Sequence, residues 1–279
     1  MAGRLVVVGL GIQVARHVTW EGRRAIERAD RLLYLAGNPS TEAWLRGLQP
    51  RAESLATSYV EGGPRTEAYA DMVRRMLEPV REGFGVCAAF YGHPGVFVHP
   101  SHEAIRRARS EGFDARMLPG ISAEDCLFAD LGIDPARSGW QSYEATDFLV
   151  NDRRIDPRSS LILWQVGMVG RIEYRPEGFR ENRNALAILR DALVSRYSAG
   201  HEAVLYEASP YAVVEPFVER LPLHRLTETE LTPASTLYVP PLPSSVNDEM
   251  LARLGIDRAQ LPRLPPCWEA TPPSPGRPE

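Results

Sequence analysis

The chain contains no lysine: all 32 basic residues are arginine, set against 36 acidic ones. Schiff-base chemistry and the lysine of a P-loop are thereby excluded. Cysteine is scarce. Cys87, Cys126 and Cys267 form neither an even framework nor a metal-ligand spacing. Cys87 lies in an apolar strand-like run and Cys126 in an apolar helical one, so both read as core residues of a reducing compartment. No apolar run reaches the roughly 18 residues of a membrane span, and no signal peptide precedes the first strand. A cytoplasmic protein is expected. The net charge of −4 offers no basic footprint for nucleic acid, and Arg106-Arg107 reads as a solvated helix face. His17, His99, His102, His201 and His224 show no pairing with carboxylates at metal-site spacing, so no metal is expected. Ser122 has no Gly-x-Ser-x-Gly context, which excludes a nucleophile elbow. Glu124-Asp125 are helix neighbours that point apart, so they complement a helix dipole rather than form an acid/base pair.

What is present is alternation. Of 279 residues, 44% are hydrophobic and 24% charged, enough for a large core. Leu5–Val8, Arg31–Leu35, Val86–Tyr91 and Arg116–Leu118 read as strands. Thr19–Ala29, Thr41–Leu48, Arg65–Glu78 and Ser101–Arg109 read as helices between them, with Pro79 expected to end or kink the third. This order predicts an α/β fold with a mostly parallel sheet. Further on, Ala123–Leu131, Ala185–Tyr197 and Asn247–Leu254 read as helices, and Ser160–Gln165, Ala203–Tyr206 and Ser235–Val239 as strands. The predicted organisation is an N-terminal α/β part over 1–119, a C-terminal α/β part over 120–243, and a short helix with a proline-rich tail over 244–279. The last fifteen residues hold six prolines and are expected to be disordered or draped on a partner.

Two glycine-proline elbows stand where strands give way to helices. The first is Tyr91-Gly-His-Pro-Gly-Val-Phe97; the second is Pro119-Gly-Ile-Ser-Ala123, with Ser122 as a helix cap. In open α/β sheets ligands bind outside the carboxyl ends of strands, where these loops fall. Gly9-Leu-Gly11 follows the first strand in the same way. Its third dinucleotide glycine is replaced by Val14, so a nicotinamide site is disfavoured. The segment Tyr59-Val-Glu-Gly-Gly-Pro-Arg65-Thr-Glu-Ala-Tyr69 places two tyrosines around an arginine. Arg65 and Tyr69 are four apart and share a helix face. A phenol beside a fixed positive charge suits proton management at a poor nucleophile. A surface loop with a packed tyrosine at each end is the plainer reading.

In their order, Gly9-Leu-Gly11, Gly92-His-Pro-Gly-Val-Phe97 and Pro119-Gly-Ile-Ser-Ala123 resemble the tetrapyrrole methylases. The longer strings Tyr91–Val98, Ala115–Gly120, Ser122–Leu131 and Tyr143-Glu-Ala145 with Asp147-Phe-Leu149 resemble the borosin peptide backbone α-N-methyltransferases, over about Arg4 to Leu254. The resemblance implies a two-domain fold with a mostly parallel N-terminal sheet and a mixed C-terminal one. It implies S-adenosylmethionine as methyl donor, a precursor peptide as substrate and a homodimer. By matching position, Tyr59, Arg65, Tyr69 and Tyr91 are implied to surround the acceptor amide. Ile12, Tyr91, Gly92, His93, Val96, Ser122, Ala123, Gln165, Tyr206, Ser235 and Thr236 are implied to touch the cofactor. His93 has a second reading as a hydrogen-bonded turn residue. One departure stands out: a further tyrosine of the family, three residues before Tyr59, is Ala56 here. The tail Pro-Ser-Pro-Gly-Arg-Pro-Glu holds no apolar core peptide, so a precursor supplied in trans is expected. The alternatives are methylation of a tetrapyrrole or other small molecule, and a peptide-binding protein without turnover.

Overall fold

The computed structural model describes residues 3–171 and 181–261. The expected proline-rich tail over 265–279, and Cys267 within it, lie outside the described residues. The chain divides into two compact units.

The first unit runs to Cys126 and takes in Ala208–Pro216. It contains β1 (Arg4–Gly9), α1 (Trp20–Glu27), β2 (Arg31–Leu35), α2 (Pro39–Leu48), β3 (Glu53–Ser54), α3 (Arg65–Arg81), β4 (Gly85–Phe90), α4 (His99–Ser110) and β5 (Asp114–Leu118). The five strands form one sheet in the order β3-β2-β4-β1-β5, every pairing parallel. Gly-Val-Cys-Ala-Ala-Phe in β4 is buried throughout, as a central parallel strand covered on both faces must be. Its alternate residues divide between two cores. Val86, Ala88 and Phe90 pack with Met72, Met76 and Ile105 of α3 and α4. Cys87 and Ala89 pack with Ile26 and Leu45 of α1 and α2. The returning segment is held by Val14, whose N–H donates to the Pro210 carbonyl at 3.1 Å, and by the Ser40 and Tyr211 hydroxyls, 3.4 Å apart.

α3 continues through Pro79 to Arg81, contrary to the expectation that this proline stops or kinks it. Proline removes a single N–H from the helix ladder. Buried Met72, Met76, Leu77 and Val80 hold the same turns to the sheet, and the Pro79 carbonyl is taken up by the Phe84 N–H at 3.0 Å in the terminating motif.

α5 (Ala123–Leu131) starts in the first unit and ends in the second. The second unit continues with β6 (Trp140–Glu144), α6 (Ala145–Val150), β7 (Ser160–Trp164), α7 (Arg183–Val194), β8 (Glu202–Glu207), β9 (Phe217–Pro222), β10 (Thr236–Val239) and α8 (Asp248–Leu254). Its sheet has the order β6-β7-β10-β8-β9. β6 and β7 are parallel, and the remaining pairings are antiparallel. The mixed sheet packs on Leu186, Leu189 and Leu193 of α7. No helix among the described residues is long and apolar enough to cross a membrane.

Candidate active site

The carboxyl ends of β1, β4 and β5 converge through backbone alone. Leu10 donates its N–H to the Phe90 carbonyl at 2.8 Å, and Gly92 donates to Gly11 at 2.9 Å while Gly11 donates back at 3.2 Å. A Cβ on Gly9 would lie 2.7 Å from the Gly92 oxygen and 2.8 Å from both Gly120 Cα and Pro94 Cδ. A Cβ on Gly120 would lie 2.7 Å from Gly9 Cα. Neither position admits a side chain, so the two glycines are what let three loops meet. Around them, Gly92 and Ser122 are buried, Ile12, His93 and Ala123 are half-buried, and Val96 is exposed.

Side chains stiffen the elbows. His93 Nδ1 accepts the Gly95 N–H at 3.0 Å, which is the turn-residue arrangement. His102 Nε2 lies 2.9 Å from the Gly95 carbonyl, which can only accept, so that nitrogen carries the proton. The buried Ser101 hydroxyl reaches the carbonyls of Pro94 and Val98. At the start of α5 the Ser122 N–H and hydroxyl both donate to Asp125, at 2.7 and 2.6 Å, and Asp125 returns its N–H to the Ser122 oxygen at 3.2 Å. This is the reciprocal cap expected of Ser-x-x-acid.

The tyrosine–arginine set assembles within the same unit. Tyr59 follows the short turn Leu55–Ser58, and Arg65 is the first residue of α3. The rings of Tyr59 and Tyr69 meet edge to face, with centroids 6.4 Å apart. The His99 ring also lies against Tyr69, with centroids 6.0 Å apart. Tyr91 retains 49% of its surface, but its phenol is crowded. Burial pushes its pKa up first, negative charge on Tyr69 pushes it further, and the Arg65 guanidinium pulls it down. Arg65 and Tyr69 therefore act on Tyr91 electrostatically. A cation in the first turn of a helix opposes the helix dipole, at a cost of about 0.3–1 kcal/mol; the neighbouring phenols give Arg65 a reason to stand there. Ala56 is exposed on the turn before Tyr59, where it offers only main-chain groups. The contact of His99 with Tyr69 was invisible in the sequence, because only the packing of α3 beside α4 creates it.

In the second unit, Gln165 follows β7 in the left-handed conformation, with φ of 56°. The next residue, Val166, donates to the Ser235 carbonyl at 3.0 Å. Tyr206 pairs with Thr236 across β8 and β10. Gln165, Tyr206, Ser235 and Thr236 are thus brought together. Three of them are buried and engaged within the unit. Tyr206 donates to Asp130 at 2.6 Å, the Ser235 hydroxyl donates to Glu207 at 2.5 Å, and Thr236 is the buried first residue of β10. Among the described residues no group of three or more His, Cys, Asp or Glu is disposed to hold a metal ion.

A parallel sheet ending in glycine elbows, paired in sequence with a mixed sheet, defines the methylase class. The tetrapyrrole (corrin/porphyrin) methylase family matches residues 4–207, and the chain belongs to it, in its borosin-type branch. The methyltransferase/type I borosin cyclic peptide precursor of Coprinopsis marcescibilis is 41% identical, covering 97% of this chain and 71% of that protein. The methyltransferase/gymnopeptides precursor of Gymnopus fusipes is 43% identical over 86% of this chain and 58% of its own length. The methyltransferase/omphalotin A precursor of Omphalotus olearius is 41% identical over the same shares. The chain therefore spans little more than half the length of several curated relatives. Among solved structures, uroporphyrin-III-C-methyltransferase from Thermus thermophilus has a TM-score of 0.61 at 20% identity, covering 86% of this chain and 93% of that one. At that identity the likeness is one of fold. The expected family and fold class are both borne out.

Proposed function

We propose that this chain methylates backbone amide nitrogens of a ribosomally made peptide, with S-adenosylmethionine as donor. The observation that carries the reading is the double position of Tyr91. Its main chain belongs to the glycine elbow, while its phenol lies under the influence of Tyr69 and Arg65. Relatives about 40% identical are named both methyltransferase and cyclic peptide precursor, which favours a peptide acceptor.

The elbows suit a nucleoside bearing a charged amino-acid tail. Their junction is bare of side chains at Gly9 and Gly120, and Ile12 lies beside Gly92, while Val96 of the first elbow is exposed. Tyr91, Gly92, His93, Ser122 and Ala123 complete the residues assigned to the donor in this unit. When bound, S-adenosylmethionine supplies an electrophilic methyl group and a neutral leaving group.

The chain's own task is the amide proton. An amide nitrogen is a poor nucleophile until it loses that proton or tilts toward the imidate. Tyr69 accepts the proton that leaves the amide nitrogen, with Tyr59 packed edge-on to fix its ring. Arg65 supplies positive charge where the imidate oxygen develops its negative charge. Tyr91, kept protonated by its raised pKa, serves as a hydrogen-bond donor and not as the base. The working unit is taken to be a homodimer, as the borosin resemblance implies.

The test is co-expression with candidate peptides encoded beside the gene, read by tandem mass spectrometry. Methyl additions on backbone nitrogens are expected. Unmodified peptides from a protein that still binds the donor would overturn the peptide reading in favour of a small-molecule acceptor. Light scattering of the purified protein checks the dimer.

A further inference from the structure

Tyr69, the proposed base, and Tyr59, whose ring packs on it, arise on different elements. Tyr59 follows the turn Leu55–Ser58, and Tyr69 rides on α3. Between them lies the stretch Val60–Pro64, with Gly62-Gly63 at its centre. A loop of that composition does not fix the distance between its ends.

A set of polar side chains does. The Ser58 hydroxyl, in a buried residue, donates to Asp71 Oδ2 at 2.7 Å. Arg75, one helical turn beyond Asp71, donates to Thr57 Oγ1 at 2.9 Å, to Ser58 Oγ at 3.2 Å and to the Ser54 carbonyl at 3.0 Å. Arg74 closes on the other Asp71 oxygen at 2.5 Å. The Ser58 hydrogen bond, followed by the Arg74 contact, holds the Asp71 carboxyl below its ordinary range, so it stays an ionised acceptor. Every polar side chain of the turn before Tyr59 is thus tied to the helix that carries Tyr69.

We propose that Asp71 and Arg75 are positioning residues that hold Tyr59 against Tyr69 and so fix the phenol that manages the amide proton. They touch neither donor nor acceptor. The proposal rests on the methyl-transfer reading for its kinetic consequence, but its geometric content stands independently.

The experiment has two readouts on the holoenzyme. Asp71→Asn keeps the shape and loses the charged acceptor; Arg75→Gln loses the fork that spans the turn. Each is expected to lower kcat roughly tenfold, the scale on which small misplacement of a reacting group acts, with donor affinity and melting temperature close to wild type. In a Tyr59→Ala background, which lacks the ring, Asp71→Asn should cost nothing further, since it acts through Tyr59. Arg81→Gln breaks the pair between Arg81 at the end of α3 and Glu111 just after α4, away from the turn, and should leave kcat unchanged. The second readout is the fluorine resonance of a fluorotyrosine placed at Tyr59, which should shift or broaden in both variants. An unmoved resonance, or losses that add fully to that of Tyr59→Ala, overturns the proposal. If Asp71→Asn does not fold, Ser58→Ala carries the same test with a smaller perturbation. A wild-type protein that methylates no peptide, with the resonance still moved by the variants, would overturn the functional reading and leave the positioning role standing.

Discussion

Replacing Tyr91 by Phe removes one oxygen and leaves the end of β4 intact, because its main-chain N–H on the Leu35 carbonyl, and not its phenol, anchors the elbow there. Tyr91→Phe should therefore bind the donor nearly as well as wild type and lose about 10²-fold in kcat, the scale of one lost oxyanion donor. Tyr69→Phe should retain donor binding and lose most turnover; calorimetry with single-turnover kinetics separates the two effects. Unchanged turnover would remove Tyr69 from the mechanism. Gly120→Ala should behave in the opposite way. Its methyl must displace Gly9, so donor affinity should fall at least tenfold while the sheet still folds, as calorimetry and circular dichroism would show together. Arg65→Ala should resemble Tyr69→Phe, and a collapse in melting temperature would instead make Arg65 structural.

Three helices, α3, α4 and α5, share one ending, a left-handed glycine at Gly83, Gly112 and Gly132. After α4, Gly112 adopts φ of 85°, its N–H reaches the Arg109 carbonyl, and Phe113 reaches Ala108 at 3.0 Å, a Schellman motif. Nothing lies within 4 Å of the Cβ that Gly112 lacks. Gly112→Ala should then cost only the left-handed backbone penalty, about 1–2 kcal/mol, visible as a lowered urea midpoint with activity unchanged. Such punctuation is why the first unit could be read from sequence: Gly or Pro closes each apolar run, and the four strand runs named in advance all appear. β6 and β9 could not be read in this way. Trp140-Gln-Ser-Tyr-Glu and Phe217-Val-Glu-Arg-Leu-Pro carry too few apolar residues, because each is an edge strand. The elbows were legible for a similar reason, since close backbone approach demands glycine. The tie from Asp71 to Ser58 was not, because polar residues thirteen apart announce no contact until a helix and a turn are folded together.

In each unit, burial raises the pKa of a group that ionises in alkali. The Cys87 thiol is pushed from 9.0 to about 12 by burial. Tyr197, in the other unit, moves from 10.0 to about 12, chiefly by burial and then by the Asp156 charge. Unfolded chains lose these protons first, so between about pH 9 and 12 the folded state binds more protons and stability falls as pH rises. Each unit of pKa difference corresponds to about 1.4 kcal/mol. Urea midpoints should be level up to about pH 8.5, near the ordinary thiol value, and then decline, and Cys87→Ala should shallow that decline. The placement of Ala208–Pro216 in the first unit has a different consequence, one for recombination. A chimaera joined to a relative at a single crossover after Cys126 would inherit its elbows from one parent and the carbonyl that receives the Val14 N–H from the other. Crossovers that also flank Ala208 and Pro216 would keep that parentage intact, and libraries built with them should yield more folded progeny.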